Sequence, residues 1–223
     1  WGDPDIPTEQ ISPYSNRYLF PILYGFDKWF KLFNPRQLLT LIKLVKLIRE
    51  VGKKVEEEKL REGWSKEDAF KYAEAVTTYL AIALADFSRF NALSTVWDAT
   101  AWQKVKHVFS FRGLAMNWNW CDNNFMSPLL GSYTSSLINT LNGLSYLINA
   151  ISGNPSKVRV LLDDAADLRK LDDGKFDVIV TDPPYADDVA YAELSDFYFV
   201  WLKRVLSDSD GSALLPRFSR EAF

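Results

Sequence analysis

A change of period, about two-thirds of the way along the chain, constrains this sequence more than any single motif. Up to about residue 152 the apolar residues recur at helical spacing; beyond it they alternate or run in short blocks, as strands do. Asn34-Pro35 reads as a helix N-cap followed by proline at the first helical position. Arg36 and Gln37 then belong to the helix start. Leu38, Leu41, Ile42, Val45 and Ile48 follow on one face, and Gly52 is expected to close the helix. The charge run from Lys53 to Glu62 reads as a solvated helix or linker. Ser65 to Asp68 resembles a capping box, ahead of a face formed by Ala69, Phe70, Ala73, Val76, Leu80 and Ala83. Further helices are expected over Thr95 to Phe109 and Ser132 to Ile151, the latter ended by Gly153-Asn154-Pro155.

The remaining third has another character. Val158, Val160 and Leu162 alternate as in a strand. Asp163 and Asp164 follow, then a short helix near Ala166 to Leu171 and the turn Asp172-Asp173-Gly174. Phe176 to Thr181 is apolar on both faces, as expected of a parallel strand covered by helices. Glu193 to Leu206 returns to helical spacing. The expected fold class is therefore α/β. A mainly helical region spans 1–152, and 153–223 forms the C-terminal part of a Rossmann-like domain with a partial parallel sheet.

Composition excludes several functions. One cysteine, Cys121, allows no internal disulfide, and one histidine, His107, excludes most histidine-based zinc sites and catalytic triads. A reducing, cytoplasmic setting is the expectation. Apolar runs are broken well short of a membrane span, so no membrane partner is expected. Net charge is −3; a free-standing nucleic-acid binder is usually basic, so such a role here needs a local patch or parts outside this sequence.

The most specific chemistry sits in Val178-Ile-Val-Thr-Asp-Pro-Pro-Tyr185. In open α/β sheets, ligands lie beyond the carboxyl ends of the strands. Asp163/Asp164 and Asp182 would occupy that place. Each proline fixes φ, removes an N–H and biases its predecessor toward an extended conformation. Asp182-Pro183-Pro184 is thus a stiff arm rich in acceptors, with the Tyr185 ring beside it. This suits a planar base with an exocyclic amino group. Asp182 and the Pro183 carbonyl would accept its two hydrogens, freeing the nitrogen lone pair to attack a methyl group. Stacking on Tyr185 contributes about 1–3 kcal/mol, against the few kcal/mol it costs to take a base out of a duplex.

Asp-Pro-Pro-Tyr after a hydrophobic strand resembles the signature of S-adenosylmethionine-dependent amino methyltransferases acting on adenine N6, cytosine N4 or guanine N2. Residues 182–204 (DPPYADDVAYAELSDFYFVWLKR) look like the archaeal and bacterial adenine-specific DNA methylase-like family that carries an extra domain of unknown function. Residues 32–45 (LFNPRQLLTLIKLV) and 158–168 (VRVLLDDAADL) resemble two further stretches of it. The resemblance implies that Asp182, Pro183, Pro184 and Tyr185 form the catalytic pocket. It places Asp164, with Asp163 beside it, near the adenine end of the donor, S-adenosylmethionine. It implies DNA as partner and no metal. Methylation of RNA, such as guanine N2 in tRNA, and a non-catalytic interaction module remain alternatives.

One part of that pattern is missing. The ten glycines are scattered singly and no G-x-G occurs, although the donor's methionine portion needs such a turn. In the resembling family this turn lies N-terminal to the helical region, and the chain begins at Trp1 rather than Met. The expectation is a fragment, completed by a missing N-terminal segment or a partner chain, that alone binds the donor weakly or not at all. Other residues carry two readings. Trp118, Trp120 and Asn123, within Arg112 to Phe125, line either a base pocket or a packing corner. Tyr191, Glu193 and Asp196 either face the cleft or start a helix. Asp187 and Asp188 either position substrate or cap. His107 lies in a basic stretch expected to face solvent, and Arg217 and Arg220 are candidate phosphate contacts.

Overall fold

The fold comes from a computed structural model that describes residues 2–13, 18–100, 103–109, 113–153, 159–171, 174–183, 185 and 189–218. Two long helices form its frame: α1 (Pro35–Arg61) and α2 (Lys66–Ser88). Asn34 caps α1 in a reciprocal box: its side chain accepts from the Gln37 N–H at 2.9 Å, and Gln37 Oε1 accepts from the Asn34 N–H at 3.1 Å. Ser65 Oγ accepts from the Asp68 N–H at 3.1 Å and starts α2. Gly52 does not end α1. It lies within the helix, where the closest approach to α2 leaves no room for a side chain: a Cβ there would stand 2.5 Å from Thr77 Oγ1. The charge run continues the same helix to Arg61, with the pairs Glu50–Lys54 and Glu57–Arg61 at i,i+4.

Residues 95–109 hold an antiparallel hairpin instead of the expected helix, with β1 (Val96–Asp98) paired to β2 (Lys104–Lys106) and Trp97 opposite Val105. Thr95, Val96 and Trp97 are β-branched or aromatic, and the cross-strand pairing they allow prevails over a weak helical spacing. Next comes α3 (Tyr133–Ile151), capped by the Ser132 hydroxyl, which accepts from the Ser135 N–H at 3.0 Å. α4 (Tyr191–Val205) returns to the core, followed by a second hairpin of β3 (Ser207–Ser209) and β4 (Leu214–Pro216).

The core lies where α1, α2 and α4 meet. Leu41, Val45 and Ile48 from α1 join Leu84 and Phe87 from α2 and Phe197, Trp201 and Val205 from α4. Trp29 and Phe33 pack edge-on or tilted against Phe197 and Trp201. A buried polar network ties the N-terminal segment to this core. Arg49 pairs with Asp5 at 2.6 and 3.1 Å, and its Nε donates to the Arg204 carbonyl at 2.7 Å. Arg204 in turn donates to the carbonyls of Asp5, Val200 and Ile6 and to Glu9. Every guanidinium in this set is thus matched by oxygens, which buried charge requires.

The expected α/β class, with its partial Rossmann-like sheet, is not what the described residues form. Among the described residues the only sheets are the two antiparallel hairpins, and no strands are parallel. What is described of the two strand-like blocks forms no strand and lies in solvent: Val160 is 89% exposed and Val180 88%, with Val178 and Ile179 little less. No backbone hydrogen bond joins 174–183 to another described segment. The short helix expected near Ala166 to Leu171 is a pair of turns. The physical reason lies in numbers of strands. A parallel sheet needs several strands with both faces covered, and this sequence holds two such blocks amid helices.

Candidate functional site

Asp182 and Pro183 are exposed after the apolar block, and Tyr185 is 68% exposed. Among the described residues Asp182 makes no hydrogen bond or ion pair and Tyr185 no ring contact, so carboxylate and ring are uncommitted to the fold. Pro184, Asp187 and Asp188 lie outside the described residues.

Asp163 and Asp164 are organised differently. The Asp163 carboxylate accepts from the N–H groups of Asp164 at 3.0 Å and Lys170 at 2.5 Å. Asp164 accepts from the Ala166 N–H at 2.9 Å, and its carbonyl takes the Leu168 N–H at 2.8 Å. Leu168 closes this loop with a left-handed φ of 47°. As placed, the two acids shape an Asx-type turn. No hydrogen bond or ion pair joins that turn to Asp182 among the described residues.

The tryptophan- and asparagine-rich stretch forms a packing corner. Asn123 donates from Nδ2 to the Phe90 carbonyl at 2.9 Å, and its N–H donates to Asn91 Oδ1 at 2.8 Å. Trp120 packs against the core beside Phe26. Trp118 stays 64% exposed, its edge against Tyr24 and Phe26. Arg112 lies outside the described residues. Tyr191 opens α4 half-exposed, with Glu193 in the same first turn. Burial and the neighbouring Glu193 together raise the Asp196 carboxyl above its usual range. Arg217 is taken up by Glu56 and Asp208, while Arg220 lies outside the described residues.

Sequence reasoning missed the surroundings of His107. It does not face solvent but is half-buried, set edge-on to the Phe90 ring at 5.7 Å. Desolvation, and then the nearby Arg89, lower its pKa, while Asp86 acts against them. Only the alternation Lys104-Val105-Lys106, one apolar residue between two cations, hinted at a strand here.

Among the described residues no helix is long and apolar enough to cross a membrane, and no three His, Cys, Asp or Glu side chains gather as metal ligands. Compared with known proteins, the chain matches no family model, no curated protein and no solved structure.

Proposed function

We propose that the Asp182-Pro183-Pro184-Tyr185 arm is the base-recognition element of an amino methyltransferase, with adenine in DNA as its target. The observation that carries this reading is the uncommitted state of the arm. A carboxylate, a proline-stiffened backbone and an aromatic ring stand in solvent with no structural task among the described residues. An exposed apolar-to-acidic arm with no packing task among the described residues is available to bind a ligand.

In this reading Asp182 and the Pro183 carbonyl accept the two amino hydrogens of the base, and Tyr185 stacks on its face. Holding both hydrogens out of the ring plane localises the nitrogen lone pair, and Asp182 would favour loss of one of them as a proton while the N–C bond forms and the donor's S–C(methyl) bond breaks to leave a neutral thioether. The methyl group would come from the sulfonium of S-adenosylmethionine; this sequence has no glycine-rich turn to hold that donor, which a further segment or a partner chain would supply. Asp163 and Asp164 keep their carboxylates within their own turn, and no step is assigned to them.

The test uses the 223-residue chain without donor. Single-stranded oligonucleotides carrying either one adenine or one purine, which lacks the amino group, are titrated against wild type and Asp182→Ala. The reading predicts roughly tenfold or greater preference for adenine, lost in the variant, since a site built to bond an N–H rejects its absence. Equal binding of both oligonucleotides by wild type overturns it. Repeating the titration with RNA separates the tRNA alternative. A non-catalytic interaction module is the second reading. It is supported by the exposed Leu141, Leu147, Ile148 and Ile151 of α3 alongside Val178 to Val180.

A further inference from the structure

We propose that α3 pairs with the α3 of a second copy of this chain, so that the protein forms a two-fold dimer through one helix from each copy. This pairing rests on α3 alone and does not depend on the reading of the Asp182–Tyr185 arm.

α3 is fixed to the body at one end. Tyr133 lies edge-on to Phe87 at 6.3 Å, and the Ser136 hydroxyl donates to Asp86 at 2.6 Å, so the first turn is held against α2. From Ser145 to Ile151 every residue is exposed. A helical segment of two turns is marginal in water without packing, yet these turns stand with little beside them. Nor is their surface one suited to water. No Lys, Arg, Asp, Glu or His occurs between Asp122 and Lys157. The outer end of α1 is different, since its exposed side carries the ion pairs Glu50–Lys54 and Glu57–Arg61.

The spacing of the apolar residues points to another helix as the covering surface. Leu137, Leu141, Leu144, Ile148 and Ile151 follow one another at intervals of 4, 3, 4 and 3 residues, the alternation with which one helix presents a seam to another. Where unlike helices pair, charges at the positions flanking the seam choose the partner. Here those positions hold Ile138, Thr140, Ser145 and Leu147, and none is charged. An apolar seam with uncharged flanks is complementary to itself. It is also where two copies, each carrying −3, approach with the least repulsion.

The area agrees with a dimer of modest strength. Ile138, Leu141, Leu147, Ile148 and Ile151 are each 46–62% exposed, and in two copies together they present on the order of 1,000 Å², the size at which specific interfaces begin. A two-fold places the same patch on both sides of the contact and leaves none over, so assembly stops at two.

The experiment is sedimentation equilibrium of the whole 223-residue chain over a concentration series. The expected result is a reversible monomer–dimer equilibrium with a dissociation constant on the order of 10 μM. Leu141→Glu/Ile148→Glu and Leu141→Lys/Ile148→Lys each set like charges across the seam and are expected to weaken association at least about tenfold. Both positions are half-exposed, and far-UV circular dichroism checks that each variant keeps its helices. Mixed in equal amounts, the Glu and Lys variants are expected to form the dimer again, because opposite charges then face each other. Leu47→Glu, on an exposed face of α1, leaves the dimer unchanged. A wild-type chain that stays monomeric overturns the proposal, and so does a dimer that persists in both charged variants, which would join through another face. Charged variants that remain monomeric when mixed also overturn it, because α3 then meets a different surface rather than its own copy.

Discussion

The α1–α2–α4 core and the stretch from mid-α3 to Tyr185 are both rich in aliphatic residues, yet among the described residues only the first buries them. Trp201 and Leu84 have no exposed surface, whereas Ile179 and Val180 stand almost fully in solvent. The two regions differ in what each apolar residue finds nearby. A helix satisfies its own backbone, so it needs a neighbour only for one face. An extended block must find partners for its backbone and for both faces at once. Apolar content therefore does not by itself specify a core; the element that carries it decides whether a lone segment can pack.

α3 shows the boundary between the two cases. Its first turn belongs to the core side: Tyr133 lies edge-on to Phe87, and Ser136 Oγ donates to Asp86 at 2.6 Å. Burial pushes the Tyr133 hydroxyl up to about 12. From Leu141 onward the same helix exposes its aliphatic residues, and no Lys, Arg, Asp, Glu or His occurs between Asp122 and Lys157.

The sharpest way to break this comparison is a matched pair of truncations. Trp201→Ala is expected to cost about 3–5 kcal/mol in urea unfolding, as large aromatic truncations in cores do. Ile179→Ala should change stability by less than about 0.5 kcal/mol. Similar losses at both sites would mean that the 174–183 block is packed in solution. Arg204→Ala is expected to cost a comparable 3–5 kcal/mol or so, because it strands Glu9 and leaves several buried carbonyls unpaired. A smaller loss, Gly52→Ala, tests the close α1–α2 approach. The new methyl must displace Thr77, whose hydroxyl donates to the Ala73 carbonyl at 2.7 Å, at about 1–3 kcal/mol. Asn34→Ala removes the reciprocal cap of α1 and should lower stability by about 1 kcal/mol.

The smallest expected effect is one of pH. His107 has a lowered pKa in the folded protein. The unfolded chain therefore binds a proton at higher pH than the native state does. Stability contributed by this group is full above the unfolded value, near about 6.5, and falls as pH drops through it toward the folded pKa. His107→Gln should flatten that part of the stability profile, read as urea midpoints across the same pH window.

Much of the helical frame was legible in the sequence. Asn34-Pro35 and Ser65 mark real helix starts, and the faces of α1, α2 and α4 follow the apolar spacing, because helix caps and periodicity are local properties. The 95–109 hairpin was not legible, since three-residue strands are too short for alternation to declare itself. Nor was the Asp5–Arg49–Arg204 network, whose members lie 44 to 199 residues apart and which no local pattern encodes. In the last third the alternation of Val160 and Leu162 and the run Val178 to Val180 read as strands, but neither block is a strand in the structure. The sheet expected from them is not seen among the described residues, where pairing, a non-local property, joins only β1 to β2 and β3 to β4. At the candidate site the Asp182–Tyr185 arm stood out through its prolines, whereas the half-buried setting of His107 beside Phe90 appears only in three dimensions.

Amide hydrogen exchange on the whole chain tests the contrast between the two regions most directly. The expected result is strong protection across α1, α2 and the core face of α4, together with near-intrinsic exchange from Lys175 through Asp182. Protected amides at Val178, Ile179 and Val180 would show these residues paired in a sheet, and would contradict an exposed arm free to bind a base.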